Sequence, residues 1–332
     1  MIRLLGSSYR YSGEQLSKPE IIFVVDHHYN EDDACFHIKQ LLENSTCNPK
    51  DHLIVYDHVL QHDDELSAYT SLHLPLLLVK EAQQFNDQQI TVDWANKTKT
   101  FNFMINKPRV HREFLLLLVE HFKLTNYSYS LPWRTVDINR SSLAKGSAQY
   151  QDIILNTQLN IKQTDYVFGP EVVMDRGVRN GSYINSVTYA GLLQSTVFEP
   201  SCISLITEPS FYERETIITE KTIMAIYGGT IPIWVGGWRI PDYMSEQGFD
   251  IFDDVVDHSY QNLTDPYERC YEAIARNQHL LGNFDLAHQA LDHRRLGKNL
   301  QLVQQNPFLK DCQQQLDALP ASVQQELGVK LF

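Results

Sequence analysis

Two places in this 332-residue sequence set basic side chains where a helix already presents positive charge. Thr219 is a good N-cap residue, so Glu220 and Lys221 stand in the first helical turn, among amides with no intrahelical partner. A glutamate is favourable there, whereas a lysine is unfavourable by about 0.3–1 kcal/mol. The pattern recurs after Pro108, a residue suited to a helix start, where Arg109 and Arg112 lie three apart and project from one side of the first turn. A phosphate lodged at such a start would pair with both amides and cations and remove the conflict. The alternative is a lysine that bends away into solvent. If both helix starts face one crevice, Arg112 and Lys221 clamp a diphosphate, and such a clamp can neutralise its charge without a metal.

A second set of candidates lies at predicted strand ends in the first hundred residues. The apolar run 21–25 ends in Asp26-His27-His28, and the run 53–56 ends in Asp57-His58. Strand ends of this kind gather ligands in α/β sheets, so Asp26, His28 and Asp57 are candidates for a catalytic base, Asp26 first. Strand termini also favour polar caps and turns for purely structural reasons.

The elements that must position these groups alternate between strand and helix. Runs 21–25, 53–56 and 76–79 read as strands and 33–43 as a helix, a small α/β unit. Residues 86–100 are polar and read as a hinge or surface hairpin. Run 101–105 then opens a second unit, with a helix over 109–122 whose apolar face includes Phe114, Leu115, Leu118 and Phe122. Residues 131–196 read as an insertion, with a turn-rich loop at 175–181 and a helix at 184–194. Run 202–206, a helix after Thr219, a stop at Gly228-Gly229 and run 231–235 make a βαβ unit. Residues 238–241 read as a loop and 248–252 as the start of a strand. Three helices follow, over 266–281, 286–305 and 310–331.

The box Ile218-Thr219-Glu220-Lys221, preceded by Glu208 and Ser210 and followed by Thr230-Ile231-Pro232-Ile233, resembles the α1,3-fucosyltransferases. That family also has an arginine six residues after a strand-terminal asparagine, and Asn106 and Arg112 have that spacing. The resemblance covers about residues 97–240. It implies two Rossmann-like α/β domains facing across a cleft, the GT-B arrangement: 1–97 on the acceptor side, 98–290 holding the donor, and C-terminal helices at 291–332 that can cross back to the first domain. It further implies inverting transfer of a sugar, with fucose from GDP-fucose as the family's donor, to a glycan or other hydroxyl acceptor. Asn106, Arg109, Arg112, Glu208, Ser210, Thr219, Glu220 and Lys221 would hold a nucleotide sugar, GDP-linked by preference, with no obligatory metal. Where the family has Glu-Asn this chain has Glu208-Pro209, which removes an amide that touches the donor. Asp26-His27-His28 also resembles the motif of phosphoesterases that bind two manganese ions, and a catalytically inactive binding module is a third possibility.

Composition narrows the field. A net charge of −13 argues against a nucleic-acid groove. No apolar run reaches the roughly 20 residues needed to span a bilayer. The five cysteines include no CxxC pair, which points away from a disulfide framework and toward a reducing compartment. The expectation is a soluble, cytoplasmic enzyme.

Overall fold

The structure is a computed structural model. It describes residues 2–5, 21–24, 40–48, 52–56, 59–60, 70–87, 93–105, 109–130, 138, 140–161, 176–179, 182–185, 198–209, 211, 215–319, 321 and 324. The fold is α/β, built on two four-stranded sheets that are parallel throughout.

The first sheet takes its strands in chain order: β1 (Ile2–Leu5), β2 (Ile21–Val24), β3 (Leu53–Tyr56) and β4 (Thr70–His73). The fourth strand precedes the run expected to form it. Residues 76–79 instead open helix α1 (Leu76–Asp87), whose first intrahelical bond runs from Val79 N to Pro75 O at 3.0 Å. Leu78, Val79, Ala82 and Phe85 are buried, the spacing of a helical stripe, which a four-residue apolar run does not reveal on its own.

In the second sheet β5 (Lys99–Met104) and β7 (Ser201–Ile206) lie at the centre, with Ile203 opposite Phe101. Beside β5 lies β6 (Tyr127–Ser130), and beside β7 lies β8 (Ile231–Trp234). Helix α2 (Val110–His121) links β5 to β6, and helix α3 (Glu220–Tyr227) links β7 to β8. The chain therefore moves outward in opposite directions from the central pair. Right-handed crossovers running in opposite directions place their helices on opposite faces of a sheet. The packing agrees: Phe101 and Phe103 share a core with Phe114, Leu115 and Leu118 of α2, while Met104, Ile206 and Trp234 share another with Ile223 and Met224 of α3. Strands covered on both faces need continuous apolar runs, and β7 is buried along its whole length.

On the α2 face, Phe114 meets Tyr267 of helix α4 (Pro266–Arg276) edge-on at 5.3 Å. The α3 face continues into the first sheet. Its core includes Leu53, Val55 and Phe85 together with Val303 of helix α5 (His293–Gln304) and Phe308 and Cys312 of helix α6 (Pro307–Asp317). Asn306 donates to Val79 O at 3.1 Å and Asn86 to Gln304 O at 3.1 Å, fixing the C-terminal helices to α1. A short antiparallel pair, Val59–Leu60 with Glu215–Thr216, also joins the two halves.

Several expected elements differ. Arg176–Arg179 and Ser182–Asn185 form an antiparallel hairpin where a loop and the start of a helix were expected; the rest of that helix lies outside the described residues. Ile240–Glu246 is a helix, with Pro241 in its first turn. Residues 248–252 form no strand, because Gly248 (φ 88°) and Phe252 (φ 60°) turn the backbone left-handed. Asn277 divides the 266–281 segment, its side chain holding both Asp257 N and Asp257 O. The 286–305 segment likewise splits into Phe284–Gln289 and α5. Lys99 and Thr100 already belong to β5, and Lys97 just before them is buried, so the expected hinge is short.

Candidate functional site

The reversal between β5 and β7 defines a topological switch point, the place where open α/β sheets bind ligands at the carboxyl ends of their strands. Beyond β7 the chain continues through Thr207, Glu208 and Pro209, all buried. Side chains from the start of α2 hold two carbonyls of this segment. Arg112 Nη2 donates to Thr207 O at 3.0 Å and Arg109 Nη1 donates to Pro209 O at 2.8 Å. Arg109 is the helix N-cap in an extended conformation, and its guanidinium, which has no acceptor for the helix amides, bonds this loop.

The Glu208 side chain reaches the opposite way. Its fully buried carboxylate accepts from Thr219 N at 3.1 Å, Thr219 Oγ1 at 2.5 Å and Thr222 Oγ1 at 2.6 Å. Trp234 Nε1 donates to Thr222 Oγ1 at 3.0 Å, tying β8 into the same network. Thr219 caps α3 as expected, accepting from Lys221 N at 3.5 Å. Lys221 neither swings into solvent nor stands alone. Its Nζ lies 2.9 Å from Glu220 Oε1 and 3.1 Å from Thr219 Oγ1, and its side chain is only 11% exposed.

Electrostatics follow from this packing. Burial pushes His111 well below the usual histidine range, and the charges of Arg112, Arg109 and Lys221 push it further, so the ring is neutral. Burial and the Arg109 charge lower Arg112 to about 10, against the pull of Glu208 and Glu220; it stays cationic at neutral pH. Burial alone would raise the Glu220 carboxyl, but the Lys221 charge and hydrogen bond outweigh it and bring it to about 2. Three cations and two carboxylates thus leave a local positive excess in an acidic protein. Between β5 and β7 a cavity of about 10 Å³, bordered by Asn102, Thr207 and Lys221, has room for about one water.

Of the residues singled out in the sequence, Arg109, Arg112, Glu208, Thr219, Glu220 and Lys221 come together at this carboxyl edge. Asn106 and Ser210, and the base candidates Asp26, His28 and Asp57, lie outside the described residues. The strands leading to the latter group, β2 and β3, are parallel neighbours ending at Val24 and Tyr56. Sequence reasoning missed His111 and Thr222. Thr222 was within reach, since it follows the cap Thr219 by three residues and so shares its face. His111 stands between two singled-out arginines without a spacing of its own to mark it. Asp254 joins Asp250 in binding Arg295, at 2.7 and 3.0 Å. Among the described residues no helix is long and apolar enough to cross a membrane.

The fold and site together define an α/β protein with a basic, largely buried cluster at the switch point of a parallel sheet. Comparisons with family models, curated proteins and solved structures found no match to this chain.

Proposed function

We propose that this chain is a glycosyltransferase of GT-B architecture that transfers a sugar from a nucleotide donor to a hydroxyl acceptor with inversion. The observation that carries the reading is the convergence of Arg109, Arg112 and Lys221 on the β5/β7 switch point. In the reaction an acceptor oxygen attacks the anomeric carbon, a base takes its proton, and the bond to the nucleotide diphosphate breaks. Negative charge grows on the departing diphosphate, and Lys221 and Arg112 offset it. Glu220 holds Lys221 in place, and Glu208 fixes the helix start that carries both. The α1,3-fucosyltransferase-like box favours a GDP-linked donor. Asp26, His28 and Asp57 supply the candidates for the base. The pairing of Val59–Leu60 with Glu215–Thr216 supports this assignment, because it ties the chain two residues past Asp57 to the chain three residues before Thr219.

A second reading, a nucleotide-sugar-binding module without turnover, draws support from the fact that Arg109 and Arg112 donate to the protein's own carbonyls. Thermal-shift measurements with GDP, UDP, CMP, dTDP and their sugars test what both readings share. A ligand at 100 times its Kd adds about 2.7 kcal/mol to the native state. A shift by GDP-fucose together with sugar release to an acceptor supports the enzyme, and a shift without turnover supports the module. No shift with any of these ligands sinks both.

A further inference from the structure

Side chains at the ends of β7 and β8 and at the start of α3 form one line of hydrogen bonds that finishes on Lys221. Trp234 Nε1 donates to Thr222 Oγ1 at 3.0 Å, Thr222 Oγ1 to Glu208 Oε1 at 2.6 Å, Thr219 Oγ1 to Glu208 Oε2 at 2.5 Å, and Lys221 Nζ to Thr219 Oγ1 at 3.1 Å. Trp234, Thr222, Glu208 and Thr219 are all fully buried, where water does not compete for these bonds and each polarises the next.

Counting protons fixes the direction of every link. An indole N–H and an ammonium can only donate, and a hydroxyl has one proton to give. Thr222 receives from Trp234 and Thr219 receives from Lys221, so both hydroxyls turn their protons to Glu208. Neither can rotate without stranding a buried donor. Trp234 is itself anchored, its carbonyl accepting from Gln261 Nε2 at 3.2 Å. At the other end the ammonium gives a second proton to Glu220 Oε1 at 2.9 Å. It carries three, so among the described residues one is left for a ligand oxygen.

We propose that Thr222 and Trp234 are positioning residues, which act through Glu208 and Thr219 to set where the Lys221 ammonium stands and where its remaining proton points. The inference rests on the glycosyltransferase reading, in which that proton meets the departing diphosphate. A misplaced charge that counts most as the bond breaks costs turnover more than it costs ground-state binding.

The test is steady-state kinetics of the full-length protein with GDP-fucose and an acceptor. Thr222→Val keeps the side-chain shape and removes the hydroxyl; it should lower kcat about tenfold, as expected for one lost hydrogen bond, with KM within about twofold of wild type. Thr222→Ser restores the hydroxyl and should bring kcat back to within about twofold of wild type. An unchanged kcat in Thr222→Val, or a loss that Thr222→Ser does not repair, overturns the inference while the glycosyltransferase reading stands. A second measurement uses isotope-labelled wild-type protein, in which Trp234→Phe identifies the Trp234 indole N–H resonance by its loss. Added GDP should move that resonance, because a phosphate that draws on Lys221 repolarises the line as far as its last donor. Bound GDP with an unmoved resonance overturns the inference, and this decides the matter where Thr222→Val does not fold or where a donor binds without turnover. If neither GDP nor any nucleotide sugar binds the wild-type protein, both the inference and the reading fall.

Discussion

The carboxylate of Glu208 holds both the backbone amide and the hydroxyl of Thr219, at 3.1 and 2.5 Å, so the end of the central strand and the start of helix α3 form one rigid unit. Carbonyls of the same strand end are held by Arg109 and Arg112 from the opposite face of the sheet. The switch point is thus braced from both sides, and its charges are fixed before any ligand arrives. Preorganised charge of this sort avoids a reorganisation cost at the moment of reaction.

Removing the brace should be severe. Glu208→Ala should lower stability by about 3–5 kcal/mol, since it strips a buried charge from three donors. Thr219→Ala should cost about 1–2 kcal/mol, the usual loss of a helix cap. Because the two act through one network, the double variant should lose clearly less than the sum of the singles. Denaturant titration of all four proteins measures this, and strict additivity would show that the contact carries no coupling.

Gly229 is irreplaceable for two separate reasons. Its φ is 57°, and a Cβ there would lie 2.5 Å from the Trp94 ring, whose Nε1 donates to Tyr227 O at 3.0 Å. Gly229→Ala should therefore cost about 2–4 kcal/mol, combining left-handed strain with overpacking. Adding Trp94→Ala should relieve the overpacking part alone. A thermal unfolding series on the three variants checks the order, and an unperturbed Gly229→Ala would refute the clash.

Lys97 gives an alkaline signature. Its Nζ donates to Gly228 O at 2.8 Å, but burial brings its pKa from 10.5 to about 8 even though Cys202, Glu199 and Asp93 pull the other way. Between those two values the unfolded chain binds more protons than the folded one, so the folded state gains stability as pH rises from about 8 toward 10.5. Lys97→Met should lack that gain. Wild-type and variant stability should run parallel below pH 8, and the wild type should gain on the variant above it; parallel curves over the whole range would contradict the burial argument.

Glu220 gives the acid counterpart. Its carboxyl falls from 4.5 to about 2 beside Lys221, so the stability it contributes is complete above pH 4.5 and is lost as pH drops toward 2. Glu220→Gln should flatten that part of the acid limb. An acid limb identical to wild type would mean that the Lys221–Glu220 pair contributes nothing to folding.

For activity, Lys221→Ala and Arg112→Ala should each reduce kcat/KM by about 10²–10³. Both should also lose stability, because Arg112 is 4% exposed and supports Thr207 O, and Lys221 is the partner of the Glu220 carboxylate. Steady-state kinetics on a nucleotide sugar decides the matter: normal turnover by Lys221→Ala would end the clamp hypothesis.

The sequence alone determined the local pieces whose cause is local. Thr219 caps a helix because a hydroxyl one position before the first turn reaches its amides, and Gly229 stops it because only glycine enters the left-handed region freely. The run at 202–206, apolar but for Ser204, reads as a strand buried on both faces, as it is. Short apolar runs carried less information. Residues 76–79 fit either period, and Pro75 with Phe85 decided for a helix only in three dimensions.

The tertiary structure decided where the charges go. Side-chain spacing marked Arg109, Arg112 and Lys221 as one cluster, but it did not tell that the arginines would donate to the carbonyls of residues 207 and 209 or that Lys221 would fold back on Glu220. The arginines and their partner carbonyls lie about a hundred residues apart in the chain, brought side by side by the register of β5 and β7. Trp234 was invisible for the same reason: an indole's one donor takes the acceptor it meets, here Thr222, and that is set by packing and not by its neighbours in sequence.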